Sequence, residues 1–406
     1  MTARAAPAPP ARAPHTALLL TGGGARAAYQ VGVLKAIAQL QARRFPGARV
    51  SPFDIIVGTS AGAINAASIA CSADDFQRGV RRLSAVWSRF HAAQVYHANA
   101  WHTLGTALRW GAFGLLGWFA PLTRLLQPHS LLDNEPLQTL LQRELPLARL
   151  PQMLAQGYLR ALAVTTSSYT SGEHVTFYTA TRDIQDWQRV RRRAVRTPIT
   201  IPHLMASSAI PLLFPATRIN APGASGYYGD GSMRQIAPLA PVVHLGAQRI
   251  LVIGVARALE PMDAPAQDEP VYPSFAQVAN HALASIFLDT LAADAERLHR
   301  INHTLSLIAP EARSRSHLRR VELLTIMPSR RIDQIAARHT RHLPWTVRML
   351  MRMLGMRGGS AGARSSALAS YLLFEREFTS ELIRLGHADG LAQQAAIERF
   401  FGWTAD

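Results

Sequence analysis

The chain has 406 residues, 48% of them hydrophobic, enough for a large buried core and, on length alone, for more than one domain. The single cysteine, Cys71, excludes an intramolecular disulfide, and the lack of any window of 18 uninterrupted apolar residues leaves no candidate spanning helix. A net charge of +17, carried almost wholly by arginine, points to nucleic acid or an anionic lipid surface as partner, against the plain alternative of solvated basic faces.

Residues 1–15, MTARAAPAPPARAPH, read as a mobile tail without the apolar core of a signal peptide, so the expected location is cytoplasmic or peripheral to a membrane. TALLL (16–20) is a short buried strand, broken by three glycines and followed by a helix with Val33, Ile37 and Leu40 at helical spacing. FDIIV (53–57) is a second buried strand that stops at Gly58. A helix of small residues follows (61–71, ending on Cys71 as a small core residue), then an amphipathic one (74–90). Strand, glycine turn and helix, twice over, predict a parallel sheet with helices on both faces. Residues 158–180 read as two strands around the polar loop SSYTSGE, RILVIGV (249–255) is another buried strand, and Val321–Met327 is a late one. Between the last two lies a long helix with Leu283, Phe287, Leu291, Leu298 and Ile301 on one face, and the stretch from Ile332 is mostly helical. The predicted division is a first unit over 16–257 and a mainly helical region over 258–406 that adds the 321–327 strand to the sheet.

Gly58-Thr59-Ser60-Ala61-Gly62 fits the nucleophile elbow G-x-S-x-G, in which a serine sits on a strained strand-to-helix turn. Glycines on either side let the strand and helix backbones approach, and the helix N-terminus aims N–H groups and partial positive charge at the reacting centre. The alternative is a tight strand-to-helix turn with no chemistry. The glycines at 22–24 also lie between strand and helix. A dinucleotide loop would need glycine where Ala27 stands and an acid where Gly58-Thr59 ends the second strand, so an oxyanion hole is the better use. One such backbone donor is worth roughly 3 kcal/mol of barrier.

The proton acceptor is less plain. His174, His203 and His244 follow Ser60, but none lies in a loop after a strand with an acid ahead of it. Asp230, in YYGDGSM and followed by Gly231, is either a carboxylate held close to the serine hydroxyl or an ordinary Asp-Gly turn. His299 and His303 lie four apart on a predicted helix with no third ligand in sight, so no metal site and no cofactor is expected.

Taken together, GGGARAAYQVGVL (22–34), GTSAGAINA (58–66), ASSAIPLLFP (206–215) and DGS (230–232) resemble the patatin-like phospholipase family in order and spacing, from about residue 17 to 257. LHRINHTL (298–305) and SYLLFEREFTSELIRLG (370–386) are similar to the C-terminal extension of bacterial members. The resemblance implies an α/β fold, a mostly parallel central sheet sandwiched by helices in three layers, with a mainly helical C-terminal extension. It implies a serine lipid acyl hydrolase that cleaves phospholipid or other lipid esters through an acyl-enzyme, with Ser60 as nucleophile and Asp230 as base. Gly22, Gly23 and Gly24 with the adjoining Arg26 would form the oxyanion hole, and Gly58, Gly62 and Gly231 would shape the turns. Two small residues depart from the family pattern, Ala27 and Ser232, where glycine, or glycine or alanine, is usual. The competing readings are an esterase with a Ser-His-Asp triad and a membrane-surface binding protein whose site has degenerated.

Three segments suit an anionic membrane. Residues 101–126, with Trp101, Trp110, Trp118, Arg109 and Arg124, read either as an interfacial flap or as a buried helical hairpin. Leu343–Gly359 is a cationic amphipathic stretch or an ordinary surface helix. Gln188–Arg196 is the densest basic run, and its lack of interleaved aromatics argues against nucleic acid.

Overall fold

The computed structural model describes residues 14–97, 130–256, 275–309, 312, 313, 315, 318–353 and 369–403. Its centre is a ten-stranded mixed sheet. In chain order the strands are β1 (Thr16–Leu20), β2 (Ile55–Thr59), β3 (Ala161–Ser168), β4 (His174–Ala180), β5 (Gln188–Arg189), β6 (Arg192–Arg196), β7 (Thr217–Ile219), β8 (Gly226–Asp230), β9 (Arg249–Ile253) and β10 (Glu322–Ile326). The order across the sheet is β10-β9-β1-β2-β3-β4-β6-β5, with β8 paired to both β3 and β7. The five strands from β10 to β3 run parallel, whereas β4 and β8 run antiparallel to β3.

The helices are α1 (Ala28–Arg44), α2 (Ala61–Ala70), α3 (Phe76–Trp87), α4 (Glu135–Glu144), α5 (Leu150–Ala155), α6 (Ile201–Ser207), α7 (Ala240–His244), α8 (Phe275–Leu307), α9 (Ile332–His339), α10 (Trp345–Met353), α11 (Arg376–Ala392) and α12 (Gln394–Phe401). They cover both faces of the sheet, and the strand sequences show why. Side chains alternate along a strand, so a strand covered on both sides must be apolar at every position. Leu18, Leu20, Ile56, Leu162, Val164, Leu251 and Ile253 point into one core with α1, α2, α3 and α11. Their neighbours Ala17, Leu19, Ile55, Val57, Ala161, Ala163, Ile250 and Val252 point into a second core with α7 and α8. On α8, Leu291 and Leu298 are buried and Ile301 is half-buried, while the side chains of Leu283 and Phe287 lie outside the described residues.

The chain beyond residue 257 joins both layers. α8 lies on one face, β10 extends the sheet next to β9, and α11 lies on the other face against α1. The α1–α11 contact is a close approach of two helix backbones. A Cβ on Gly32 would overlap the Ile383 carbonyl, and one on Gly386 would overlap the Tyr29 carbonyl. Beside this contact the Tyr29 hydroxyl donates to Asp389 (3.0 Å), and the same carboxylate accepts from the Ser329 hydroxyl (2.6 Å).

The basic run 188–196 lies in β5 and β6 at one sheet edge. Arg193 pairs with Glu173 (3.1 Å), and Arg196 lies over the Tyr178 ring at 5.4 Å. Two arginines of the run are therefore occupied within the fold. An edge strand of two residues flanked by arginines offers little to a further strand.

Candidate active site

β2 ends at Thr59, and α2 begins at Ala61 with Ser60 as its N-cap. Ser60 has φ 56° and ψ −133°, a conformation that non-glycine residues rarely adopt, so the turn holds strain at its central residue. Crowding maintains the turn. A Cβ on Gly62 would sit 2.5 Å from both the Leu20 and Thr21 carbonyl oxygens, and one on Gly58 would sit 2.5 Å from the Ala63 Cα. The Ser60 N–H donates to Ser207 Oγ (2.8 Å), whose hydroxyl donates to the Thr165 carbonyl (2.7 Å), tying the turn to α6 and β3.

Asp230 reaches the same place by a different route. It is the last residue of β8, directly opposite Thr166 of β3, and its N–H donates to the Ala209 carbonyl (3.0 Å). Gly231 lies so close to Thr165 that a Cβ would overlap the strand. The Asp230 carboxylate is fully buried, and Oδ1 accepts the Ser232 N–H (2.9 Å). Burial pushes its pKa up to about 6, while the Ser60 hydroxyl and the Ser232 N–H and hydroxyl pull it down. Oδ2 has no partner of full hydrogen-bond geometry, although the Ser60 hydroxyl is close enough to favour the ionised form.

Gly22 lies between the two. A Cβ there would be 3.1 Å from Ser60 Cβ and 2.7 Å from Ser232 Oγ. The N–H groups of Gly22 and Gly23 have no acceptor among the described residues. Gly24, at φ 53°, turns the loop against the Tyr371 carbonyl. Arg26 is buried and faces away from solvent, its Nε donating to Ser370 Oγ (2.6 Å) and its guanidinium 4.4 Å from the centre of the Tyr371 ring. Ser370 and Tyr371 thus brace the glycine loop from the far end of the chain. The sequence singled out the segment 370–386 only by resemblance and gave Ser370 and Tyr371 no role, because nothing local marks two residues more than three hundred positions from their partner.

A cavity with an empty volume of about 730 Å³, open solvent at its mouth included, starts at Ser60 and Gly24. Its walls are Ala61 and Ile64 of α2, Leu83 and Trp87 of α3 and Leu137 and Leu141 of α4, nearly all apolar. These helix faces follow from sequence periodicity: Phe76, Val80, Leu83 and Trp87 fall on one side of α3, and Leu137, Leu140 and Leu141 on one side of α4.

The histidines considered as bases are engaged elsewhere. His174 is buried in β4 opposite Ser167, His203 is held by Thr200 (2.8 Å) against Phe177, and His244 stacks on Trp187 at 5.0 Å. Burial lowers the pKa of each to about 4. Cys71 is buried, and desolvation pushes its thiol up to about 12. His299 and His303 are exposed on α8. His97, Asp133 and Glu135 bring potential ligand atoms within 4.8 Å of one another, and all three are exposed or half-buried. Residues 101–126 lie outside the described residues. Among the described residues, no helix is long and apolar enough to cross a membrane.

The family model for patatin-like phospholipase matches residues 18–243, more than half of the chain. No curated protein matches significantly. Among solved structures the chain is similar to VipD from Legionella pneumophila, with 13% identity, a TM-score of 0.31, and coverage of 91% of this chain and 67% of that one. With its strand-turn-helix serine and its mostly parallel, helix-covered sheet, the chain belongs to the patatin-like phospholipase family, hydrolases of lipid esters.

Proposed function

We propose that the protein is a serine lipid acyl hydrolase working through a Ser60–Asp230 dyad and an acyl-enzyme. One observation carries the reading: a strained serine lines an apolar cavity, and Gly22 packs it against Ser232, whose N–H donates to a fully buried carboxylate, Asp230. Ser60 Oγ attacks the ester carbonyl as its proton passes to Asp230. The carbonyl oxygen becomes an oxyanion, held by main-chain N–H groups of the Gly22–Gly24 loop at the N-terminal end of α2. Collapse expels the alcohol or lysolipid, which takes the proton from Asp230. Water then attacks the acyl-Ser60 ester, giving its proton to Asp230, and the proton returns to Ser60 as the carboxylic acid leaves. An unperturbed aspartate, with a pKa of about 4, is a weak base for a serine. Its raised pKa makes Asp230 a stronger base, and the crowded turn supplies alignment.

The substrate is a lipid presented at an anionic surface. Exposed Tyr169, Tyr227 and Ile236 gather around the Asp230 turn, with exposed Leu212 on the loop that carries Ile210 and Phe214 into the cavity. On α10, Trp345 and Met349 are exposed one turn apart with Arg348 beside them, a pattern suited to the interface of a bilayer. The net charge of +17 adds attraction to anionic lipid. Hydrolysis of a fluorogenic acyl ester by the folded protein tests the dyad. Ser60→Ala and Asp230→Asn are each expected to lose at least about 10³-fold in kcat/KM, and retained turnover in either would refute the assignment.

A further inference from the structure

The cavity that starts at Ser60 has a charged far end, and its length can be taken from the helices that build it. α3 runs antiparallel along α2. A Cβ on Gly79 would lie 2.7 Å from Ser72 Cβ, and Trp87 Nε1 donates to Asn65 Oδ1 at 2.8 Å. Residues 79 and 87 of α3 thus sit beside Ser72, just past the end of α2, and Asn65 of α2, which places Arg82 next to the C-terminal end of α2. The wall of the cavity on α2 extends from Ser60 to Ser68, eight residues or roughly 12 Å at about 1.5 Å per residue. Half of a bilayer's hydrocarbon core is about 15 Å thick. At the Ser68 end, Arg82 of α3 faces Glu144 of α4 at 3.9 Å, their side chains 42% and 27% exposed, and both residues line the cavity. Glu144 is held from the other side by Arg143 (2.9 Å).

We propose that the Arg82–Glu144 pair is the end stop of an acyl-chain groove, setting the longest straight chain whose carboxyl carbon can still reach Ser60. This rests on the reading of Ser60 as nucleophile and adds to it a substrate class, acyl chains shorter than a full membrane leaflet. Each methylene laid against the apolar walls strengthens binding. A terminal methyl driven past Ser68 would leave the apolar walls and meet a partly exposed guanidinium and carboxylate, displacing their water without offering either a partner.

The test is displacement of the dye ANS from the full chain by straight-chain carboxylic acids of increasing length, run beside kcat/KM for the matching p-nitrophenyl esters. Affinity should climb about four-fold per methylene while the chain fills the groove, then break sharply. Arg82→Ala, and the double variant Arg82→Ala/Glu144→Ala, should move the break to longer acids, and Ser68→Leu should move it to shorter ones. The ratio of long- to short-ester kcat/KM should follow the same shifts. Thermal melts identify any variant that fails to fold, and the oppositely directed Ser68 and Arg82 variants each test the claim separately. A break at the same length in every folded variant, or no break at all, overturns the end stop. Ester hydrolysis that persists in Ser60→Ala, with the binding break shifting as stated, overturns the nucleophile reading and leaves the end stop standing.

Discussion

Asp230 bears the heaviest electrostatic load in the site. Its folded pKa is about 6 because burial disfavours the carboxylate, and hydrogen bonds from Ser60 and Ser232 only partly offset that. The unfolded value is about 3.9. A folded state that holds its proton more tightly than the unfolded one loses stability as pH rises, here between about 4 and 6. Two outcomes follow. If Asp230 is the base, kcat/KM should rise with pH through about 6 in a pH-rate profile. Asp230→Asn, expected to abolish turnover, should also make the protein more stable above pH 6, by roughly 3 kcal/mol, and equally stable near pH 4, as read by urea denaturation. An unchanged stability difference across that window would show that the carboxylate is not buried as described.

The Ser60 turn was legible in the sequence because its constraints are local: apolar strand, glycine, serine, glycine, small-residue helix. Asp230 was not legible on its own. Its position depends on β8 pairing antiparallel with β3, a contact between segments some sixty residues apart, and only the family resemblance singled it out from an ordinary Asp-Gly turn.

At the scale of elements, the buried strands were readable because a strand covered on both faces is apolar throughout. The last two strands at one end of the sheet, β6 and β5, were not, since their arginines carry no alternating signal and read as a surface run. β7 and β8 were too short and too rich in glycine and tyrosine to stand out. The cavity was invisible because it exists only where faces of α2, α3 and α4 meet. The α1–α11 contact is a second feature that no local pattern announces, and it is testable. Gly386→Val would force the Tyr29 carbonyl and the α1 backbone away, and overpacking of this kind costs about 3 kcal/mol. A lower Tm in calorimetry is expected, together with reduced ester hydrolysis, because Ser370 and Tyr371, just before α11, brace Arg26 and the glycine loop.

For the whole molecule, the proposed membrane contact has charge and exposed apolar residues acting together. Binding to vesicles of anionic lipid should fall steeply as salt is raised, since the Debye length shrinks from about 10 Å at 0.1 M to about 3 Å at 1 M. Neutral vesicles should show a weaker and nearly salt-independent affinity that drops when Trp345 and Met349 are replaced by serine. Salt-independent binding to anionic vesicles would assign the charge to ordinary solvated faces. Ser60 is only 1% exposed, so on the proposed reading a lipid substrate would have to leave the membrane surface to reach it.

The central claim is that Ser60 is the nucleophile and Asp230 its base. It is tested most directly by reaction with a fluorophosphonate, followed by peptide mass spectrometry. The expected result is a single phosphonyl adduct on the peptide containing Ser60, absent in Ser60→Ala and formed at least about 10²-fold more slowly in Asp230→Asn. An adduct on another serine, or labelling of Asp230→Asn at the wild-type rate, would contradict it.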